Sequence, residues 1–573
     1  MKGIFTEHKL TSENLLTHGY KEVSPSFWIQ QDRFSCRHEY IEGRDARIYS
    51  VFIRGESSQD LVERIKAYIS GETDALVSLK GRWLIVIYEE SPSLTNPPQI
   101  TMISDRIGSH RVYYSYDGSS FEWSTNFNEL IESKKKHSQE SKLDVSALNG
   151  YLCFLHQPSY KTLVQGIFFL PPASCLVLSE GSLKIDGYWS PEFDPQIESE
   201  EKAVSEIKYL IDECITPQIQ SSDKKTGLFL SGGIDSSLLC SISAQEGIPP
   251  VTFTAGFDGI DDERPAAKAV SAHFKTRHKE IIIRPEDVPD LLWDVTRCLE
   301  FPVGNPSSLA TFAVAREAKN EVDRLLSGIG SDEVFAGHIK HILARYWFIS
   351  RKAVSLMRAP FFPFGGIDKG SVVGRPKVIS RYIDLYTYIA HDQLNRLLLP
   401  GYVSTENYFY SDLYRDAFHE EQFLTDLFIW LCDDLVSMTT TLAAHHDIWL
   451  DLPLCSDDII ECAARIPLTM KIKGKTGKVV LRKAVKGLVP EWVLKKKRQG
   501  FTLPMGHWFR GPLKGLLDSY LDRKSIEKRG IFDPEMIRRI IEAHLSGKQD
   551  LSLQLWGLIT LEVWQRIFID SEN

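Results

Sequence analysis

The sequence predicts an α/β protein in two parts: a β-rich N-terminal domain, 1–192, then a parallel-sheet α/β domain with a helical C-terminal extension, 193–573. Three observations predict it. Short β-branched and aromatic runs separated by Gly, Ser, Asn and Asp fill the first part. After an acidic, proline-bearing linker at 190–200 (SPEFDPQIESE), the apolar period changes from strand-like to helical. Strand-like and helix-like segments then alternate, the pattern of right-handed βαβ units around a parallel sheet.

In the first part, 47–54 (RIYSVFIR), 82–88 (RWLIVIY), 112–116 (VYYSY) and 121–125 (FEWST) read as strands. Beyond the linker, 203–215 places Val204, Ile207, Leu210, Ile211 and Ile215 on one face of a helix. The apolar run 227–230 reads as a buried strand, followed by a glycine turn and a helix over 236–244. Further strands are expected at 251–255 and 322–326. From about residue 340 the chain reads as largely helical, interrupted by a lysine-rich stretch at 471–498 whose single acid is Glu491.

The 573 residues are 43% hydrophobic, 25% charged and 11% aromatic, which suits large cores and excludes disordered, collagenous and disulfide-scaffold classes. A net charge of −9 argues against a nucleic-acid partner. No run approaches the ~18 uncharged apolar residues of a membrane span. The opening MKGIFTEHKLTSENLL lacks the apolar core and cleavage site of a signal peptide. Nine cysteines, an odd number without a CxxC pair, read as reduced thiols. A cytoplasmic protein with no membrane partner is expected.

The strongest chemical signal is Leu230-Ser231-Gly232-Gly233-Ile234-Asp235-Ser236-Ser237, set between a buried strand and a helix. Two glycines let the backbone turn sharply and bring its N–H groups to an anion, where the helix N-terminus adds its dipole. The serines add hydroxyl donors, and Asp235 can hold Mg²⁺ against phosphate oxygens. A serine-rich turn capping an ordinary helix would explain less, because strand, glycine pair, aspartate and helix all agree. The motif lacks the GKS or GKT of a Walker loop. A second signal, Leu326-Ser-Gly-Ile-Gly-Ser-Asp-Glu-Val-Phe-Ala-Gly337, follows the expected strand at 322–326. It lies at the carboxyl edge of the sheet, where α/β ligand sites form, and offers Asp332 as a second carboxylate. An acidic helix N-terminus accounts for Asp332 and Glu333 but not for the Ser-Gly-x-Gly before them.

The first motif resembles the pyrophosphate loop of the ATP-pyrophosphatase superfamily. With the second, the sequence is similar to the synthetase domain of the asparagine synthetase family. Gly477-Lys-Val-Val-Leu-Arg-Lys-Ala484 and Lys497-Arg-Gln-Gly-Phe-Thr-Leu-Pro-Met-Gly-His-Trp508 agree, as do Ser104-Asp-Arg-Ile-Gly108, Leu170-Pro-Pro-Ala-Ser174 and Tyr188-Trp189 in the first domain. The resemblance implies an Ntn-hydrolase-like sandwich joined to an adenine-nucleotide α-hydrolase-like domain, with ATP and Mg²⁺ as cofactors. By it, Leu230, Ser231, Gly232, Gly233, Ser236, Ala255, Ser327 and Gly328 bind the nucleotide, and Asp235 and Asp332 hold Mg²⁺. Lys478 neutralises the departing pyrophosphate.

The sequence also departs from that family. Its glutamine-hydrolysing members carry a catalytic cysteine after the initiator methionine; here position 2 is Lys2, and Arg54-Gly-Glu-Ser-Ser replaces the Asn-Gly-Glu signature. The first domain is therefore expected to be a degenerate glutaminase, with no thiolate to form a glutamyl thioester. Ile329 stands where related synthetases carry a glutamate or a catalytic tyrosine, and an alkyl chain cannot accept a proton. Trp449 and Asp451 replace the family's Glu-x-Arg, and Asn305 replaces an aspartate. An aromatic, arginine-rich segment at 345–364 suits a peptide, though core packing explains its aromatics as well. The expectation is an AMP- and pyrophosphate-forming amide ligase resembling lasso-peptide cyclases, whose partners would be a precursor peptide and a processing protease. A small-molecule synthetase (β-lactam-like or ammonia-dependent), a nucleotide-binding pseudoenzyme and a tRNA-modifying enzyme are the alternatives.

Overall fold

The computed structural model describes residues 2–6, 21–24, 27–30, 36–42, 48–55, 59–72, 75, 78–90, 98–137, 141–158, 160–220, 225–257, 262–342, 386–404, 426–496 and 503–571. The segment 345–364 lies outside them. The chain divides into two compact units: Met1–Asp144 with Ser159–Ser190, and Val145–Pro158 with Pro191–Asn573. The division is discontinuous in sequence, with Val145–Pro158 grouped with the second unit.

The first unit holds two six-stranded sheets. One runs in the order Phe168–Phe169, Tyr113–Tyr116, Ser120–Ser124, Lys2–Thr6, Phe27–Gln30, Lys21–Ser24. The other runs Ser182–Gly187, Ser174–Ser179, Gln99–Ser104, Trp83–Glu90, Ile48–Gly55, Cys36–Glu42. Every pairing within them is antiparallel. The continuous apolar run of the strand Trp83–Glu90 reflects burial on both faces. Leu84, Val86 and Tyr88 pack with Val112 and with Tyr114, Phe121 and Trp123 of the opposing sheet. Trp83, Ile85 and Ile87 alternate to the other side and pack on Leu61, Val62 and Ile65 of the helix Gln59–Ile69.

The second unit is built on a five-stranded parallel sheet, in the order Arg277–Ile282, Val251–Gly256, Thr226–Phe229, Arg324–Leu326, Trp449–Asp451. The first of these in sequence, Thr226–Phe229, lies in the middle, and the chain winds outward from it in both directions. Its carboxyl edge beside Arg324–Leu326 is therefore the topological switch point, where such sheets bind ligands. Two strands, Arg277–Ile282 and Trp449–Asp451, go beyond the three that the sequence predicts. The expected helix over 203–215 is α-helical as Glu200–Leu210 and widens into a π-turn at Ile211–Ile215. Pro217 follows in the next helical turn, and a residue without an N–H, whose ring crowds the preceding turn, accounts for the widening. Short helices follow from Ser437–His445 to Ser552–Trp564. Among the described residues no helix is long and apolar enough to cross a membrane.

Candidate active site

The two loops predicted to carry the chemistry leave adjacent strands at the switch point. After Thr226–Phe229, Leu230 donates its N–H to the Phe253 carbonyl at 2.8 Å, which sets the loop beside the end of the strand bearing Ala255. Gly232 then turns with φ +69°, and a Cβ there would stand 2.6 Å from the Ala266 backbone, so both conformation and space demand glycine. Gly233 is the N-cap of the helix Ile234–Gln245 and brings no side chain to its open N–H groups. Ser231 and Ser236 share a hydroxyl contact at 3.1 Å, and the Ser231 oxygen also accepts from the Gly233 N–H at 3.2 Å. The loop is held by its own hydroxyls, with Gly232 packed against Ala266.

Ser327 begins the second loop, donating its N–H to the Asp451 carbonyl at 2.9 Å. Gly328 lies against the first loop: a Cβ on it would approach Asp235 Cβ at 2.8 Å and the Ser236 nitrogen at 3.1 Å. Gly330, at φ +93°, starts the four-residue helix Ser331–Val334, which carries Asp332. Ser331 Oγ donates to Asp235 Oδ1 at 2.6 Å, tying the loops together through a side chain that sequence reasoning quotes but does not single out.

Lys478 comes from a third element. It caps the helix Val479–Ala484 with a left-handed backbone, φ 54°. Its Nζ lies 2.7 Å from Asp235 Oδ2 and 2.9 Å from Asp332 Oδ1, so one buried ammonium joins the two carboxylates. Burial works against its charge, but the two aspartates outweigh it and hold the Lys478 pKa above the usual lysine value. Arg482, one turn on, donates to the Gly477 carbonyl at 3.2 Å and the Leu494 carbonyl at 2.7 Å and braces the turn before Lys478. Gly337 closes the cluster, with its N–H on the Asp332 carbonyl at 2.7 Å. Beside it, His338 Nε2 lies 2.6 Å from Glu333 Oε1.

Asp451, Trp449 and Asn305, which replace family residues, make local bonds. The buried Asp451 carboxylate pairs with Arg324 on the neighbouring strand and accepts the Trp449 indole N–H at 2.7 Å. Asn305 uses its carbonyl to accept from Ser307 N and Oγ at 3.1 and 2.8 Å, opening the helix Ser307–Ala318. These side chains organise the sheet and a helix start. Lys471 is a residue that sequence reasoning passes over within the basic stretch; it is buried, with its Nζ 3.2 Å from the Val334 carbonyl.

An anion cradle at the switch point, two carboxylates from adjacent loops and a buried lysine between them define an α/β site suited to a nucleotide's phosphates. Comparison with known proteins gives the family. The model for Asparagine synthase matches residues 206–566, and that for a Glutamine amidotransferase domain matches residues 54–189. The chain belongs to the asparagine synthase family. It is 25% identical over 554 residues to asparagine synthetase [glutamine-hydrolyzing] 1 of Bacillus subtilis, covering 93% of this chain and 85% of that one. It is 27% identical over 467 residues to a putative asparagine synthetase [glutamine-hydrolyzing] of Mycobacterium bovis, covering 75% and 69%. Its overlap with the structure of an NMN synthetase from Francisella tularensis is slight, with a TM-score of 0.18 at 15% identity over 24% of this chain and 59% of that one.

Proposed function

We propose that this protein is an ATP-dependent amide synthetase that activates a substrate carboxylate as its adenylate and passes the acyl group to an amine without hydrolysing glutamine. The observation that carries the reading is the single Lys478 ammonium held by Asp235 and Asp332 at the carboxyl edge of two adjacent strands. The substrate carboxylate oxygen would attack the α-phosphorus, the bond to the bridging oxygen would break, and pyrophosphate would leave. Charge then grows on the leaving group, and Lys478, already desolvated and charged, is placed to offset it. The donor set suits Mg²⁺, which usually takes one or two protein carboxylates and completes its shell from phosphate and water. Asp235 and Asp332 would hold it, and it would supply further charge neutralisation for the phosphates.

The loss of glutamine hydrolysis is supported by the first unit's chemistry. Arg54-Gly-Glu-Ser-Ser replaces the Asn-Gly-Glu glutamine-binding signature, and the Cys175 thiol is pushed up to about 11 by burial, far from a thiolate nucleophile. For the acceptor, the reading is an amine carried by the substrate itself, which closes a macrolactam on a peptide in the manner of lasso-peptide cyclases; Ile329 supports it, since the position offers no base for free ammonia. A precursor peptide and a processing protease would then be its partners. The names of its relatives favour a second reading, amidation of aspartate. Incubating the protein with Mg·ATP and aspartate, with either ammonia or glutamine, separates the two. The cyclase reading expects neither asparagine nor AMP, and expects AMP plus the loss of one water from a cognate precursor peptide. Asparagine formed with ammonia overturns the cyclase reading; asparagine formed with glutamine also overturns the degenerate glutaminase. If Asp235→Ala leaves peptide-stimulated pyrophosphate release unchanged, the nucleotide site itself is misassigned.

A further inference from the structure

Asp332 rides on a helix of only four residues, Ser331–Val334. A single turn cannot hold itself in shape, because nucleation fixes several residues for few bonds and leaves the last carbonyls open. Its own closing bonds are Val334 N to Gly330 O at 2.9 Å and Phe335 N to Ser331 O at 3.0 Å. The carbonyl of its last residue, Val334, accepts from Lys471 Nζ at 3.2 Å. Lys471 ends the short helix Leu468–Lys471, and its side chain is buried, with the Phe193 ring 5.8 Å from its amine. Burial is costly enough to push its pKa down to about 7, against a smaller opposing effect from Cys462. An apolar side chain would fill such a pocket at lower cost, so the amine at this position asks for another account.

The connection from Lys471 to Lys478 supplies one. Between them Lys473 and Thr476 exchange backbone bonds, Lys473 N to Thr476 O at 2.9 Å and Thr476 N to Lys473 O at 3.0 Å. This closed turn joins the two lysines. Lys471 takes the Asp332-bearing helix by its backbone at the C-terminal end, donating to the Val334 carbonyl. Lys478 takes the same helix by the Asp332 carboxylate.

We propose that Lys471 is a positioning residue for nucleotide-bound metal: through the Val334 carbonyl it holds the Ser331–Val334 helix so that Asp332 faces Asp235 across Lys478. The inference rests on the function proposed above. Mg·ATP and metal-free ATP (with EDTA) are titrated calorimetrically into the full chain, wild type and Lys471→Met. Because the rest of the nucleotide cradle is untouched, the variant is expected to bind Mg·ATP about tenfold more weakly while metal-free ATP stays within about twofold. Equal losses for both ligands, or an unchanged Mg·ATP affinity, overturn the inference. Should the methionine variant fail to fold, Lys471→Leu, which keeps an apolar stem and removes the donor, is measured instead. A selective loss of Mg·ATP affinity in it supports the inference, and none overturns it. A wild type that binds no Mg·ATP overturns both this inference and the proposed function, whereas wild-type binding with an indifferent variant overturns this inference alone.

Discussion

Lys478 is paired with two carboxylates before any phosphate arrives, so its charge and its direction are set in advance. The prediction at this scale is that Lys478→Met lowers the turnover of pyrophosphate release by about 10²–10³-fold, with a smaller change in the KM for ATP. Steady-state kinetics check it, and a loss confined to KM would assign the lysine to ground-state binding. His446 makes a second prediction, on stability. Burial first, then the charges of His445, Lys319 and Arg316, push its pKa down to about 4. The unfolded chain takes up this proton near pH 6.5 while the folded chain resists until about 4. Stability is therefore full above about pH 6.5 and falls as the pH drops towards 4. Urea midpoints at pH 7 and pH 4.5 should differ less in His446→Asn than in wild type; an equal difference would clear His446 of the effect.

At the scale of elements, the site depends on two loops touching at Gly328. Gly328→Ala drives a methyl to 2.8 Å from Asp235 Cβ and should separate the loops. A displacement of that kind costs about 10² in turnover while leaving the sheet intact, and pyrophosphate release measured beside circular dichroism tests both halves. The Arg324–Asp451 pair ties the strand Arg324–Leu326 to Trp449–Asp451, and Arg324 also donates to the Gln218 carbonyl at 2.8 Å. Asp451→Ala strands a buried guanidinium and should cost about 3–5 kcal/mol in denaturant unfolding. A cost below about 1 kcal/mol would mean that water reaches Arg324.

What could be read from residues alone follows the same division. Asp235, Asp332 and Lys478 are legible because their motifs fix both neighbours and spacing, and the sheet then brings the first two together at the switch point. The strand Trp449–Asp451 is not: three residues are too few to show a period, and its tryptophan and aspartate read as replacements for the family's Glu-x-Arg, whereas Asp451 bonds both Trp449 and Arg324. Lys471 escapes for a similar reason. In a stretch crowded with solvated lysines, nothing local marks the one that is buried.

At the scale of the whole molecule, the second unit includes a helix that sequence order assigns to the first. In Val145–Phe154, Tyr151 Oη donates to the Gly557 carbonyl at 2.9 Å and lies 2.7 Å from Thr560 Oγ1. Asn149 donates to the Tyr402 carbonyl at 2.7 Å, and the Cys153 carbonyl accepts from Tyr388 N at 2.7 Å. A fragment 191–573 lacks all of these and should fail to reach a cooperatively melting state; a sharp thermal transition matching that of the full chain would count against it.

The same helix has a consequence in time. Tyr151 and Gly557 are 406 residues apart, and at about 5–20 residues per second a ribosome needs roughly 20–80 s to deliver the second after the first. For that interval an apolar segment, with Leu148, Tyr151, Leu152 and Phe154 all destined for burial, has left the exit tunnel with no seat to occupy. Its docking belongs to the last moments of synthesis, and the newborn chain must be kept from aggregating until then.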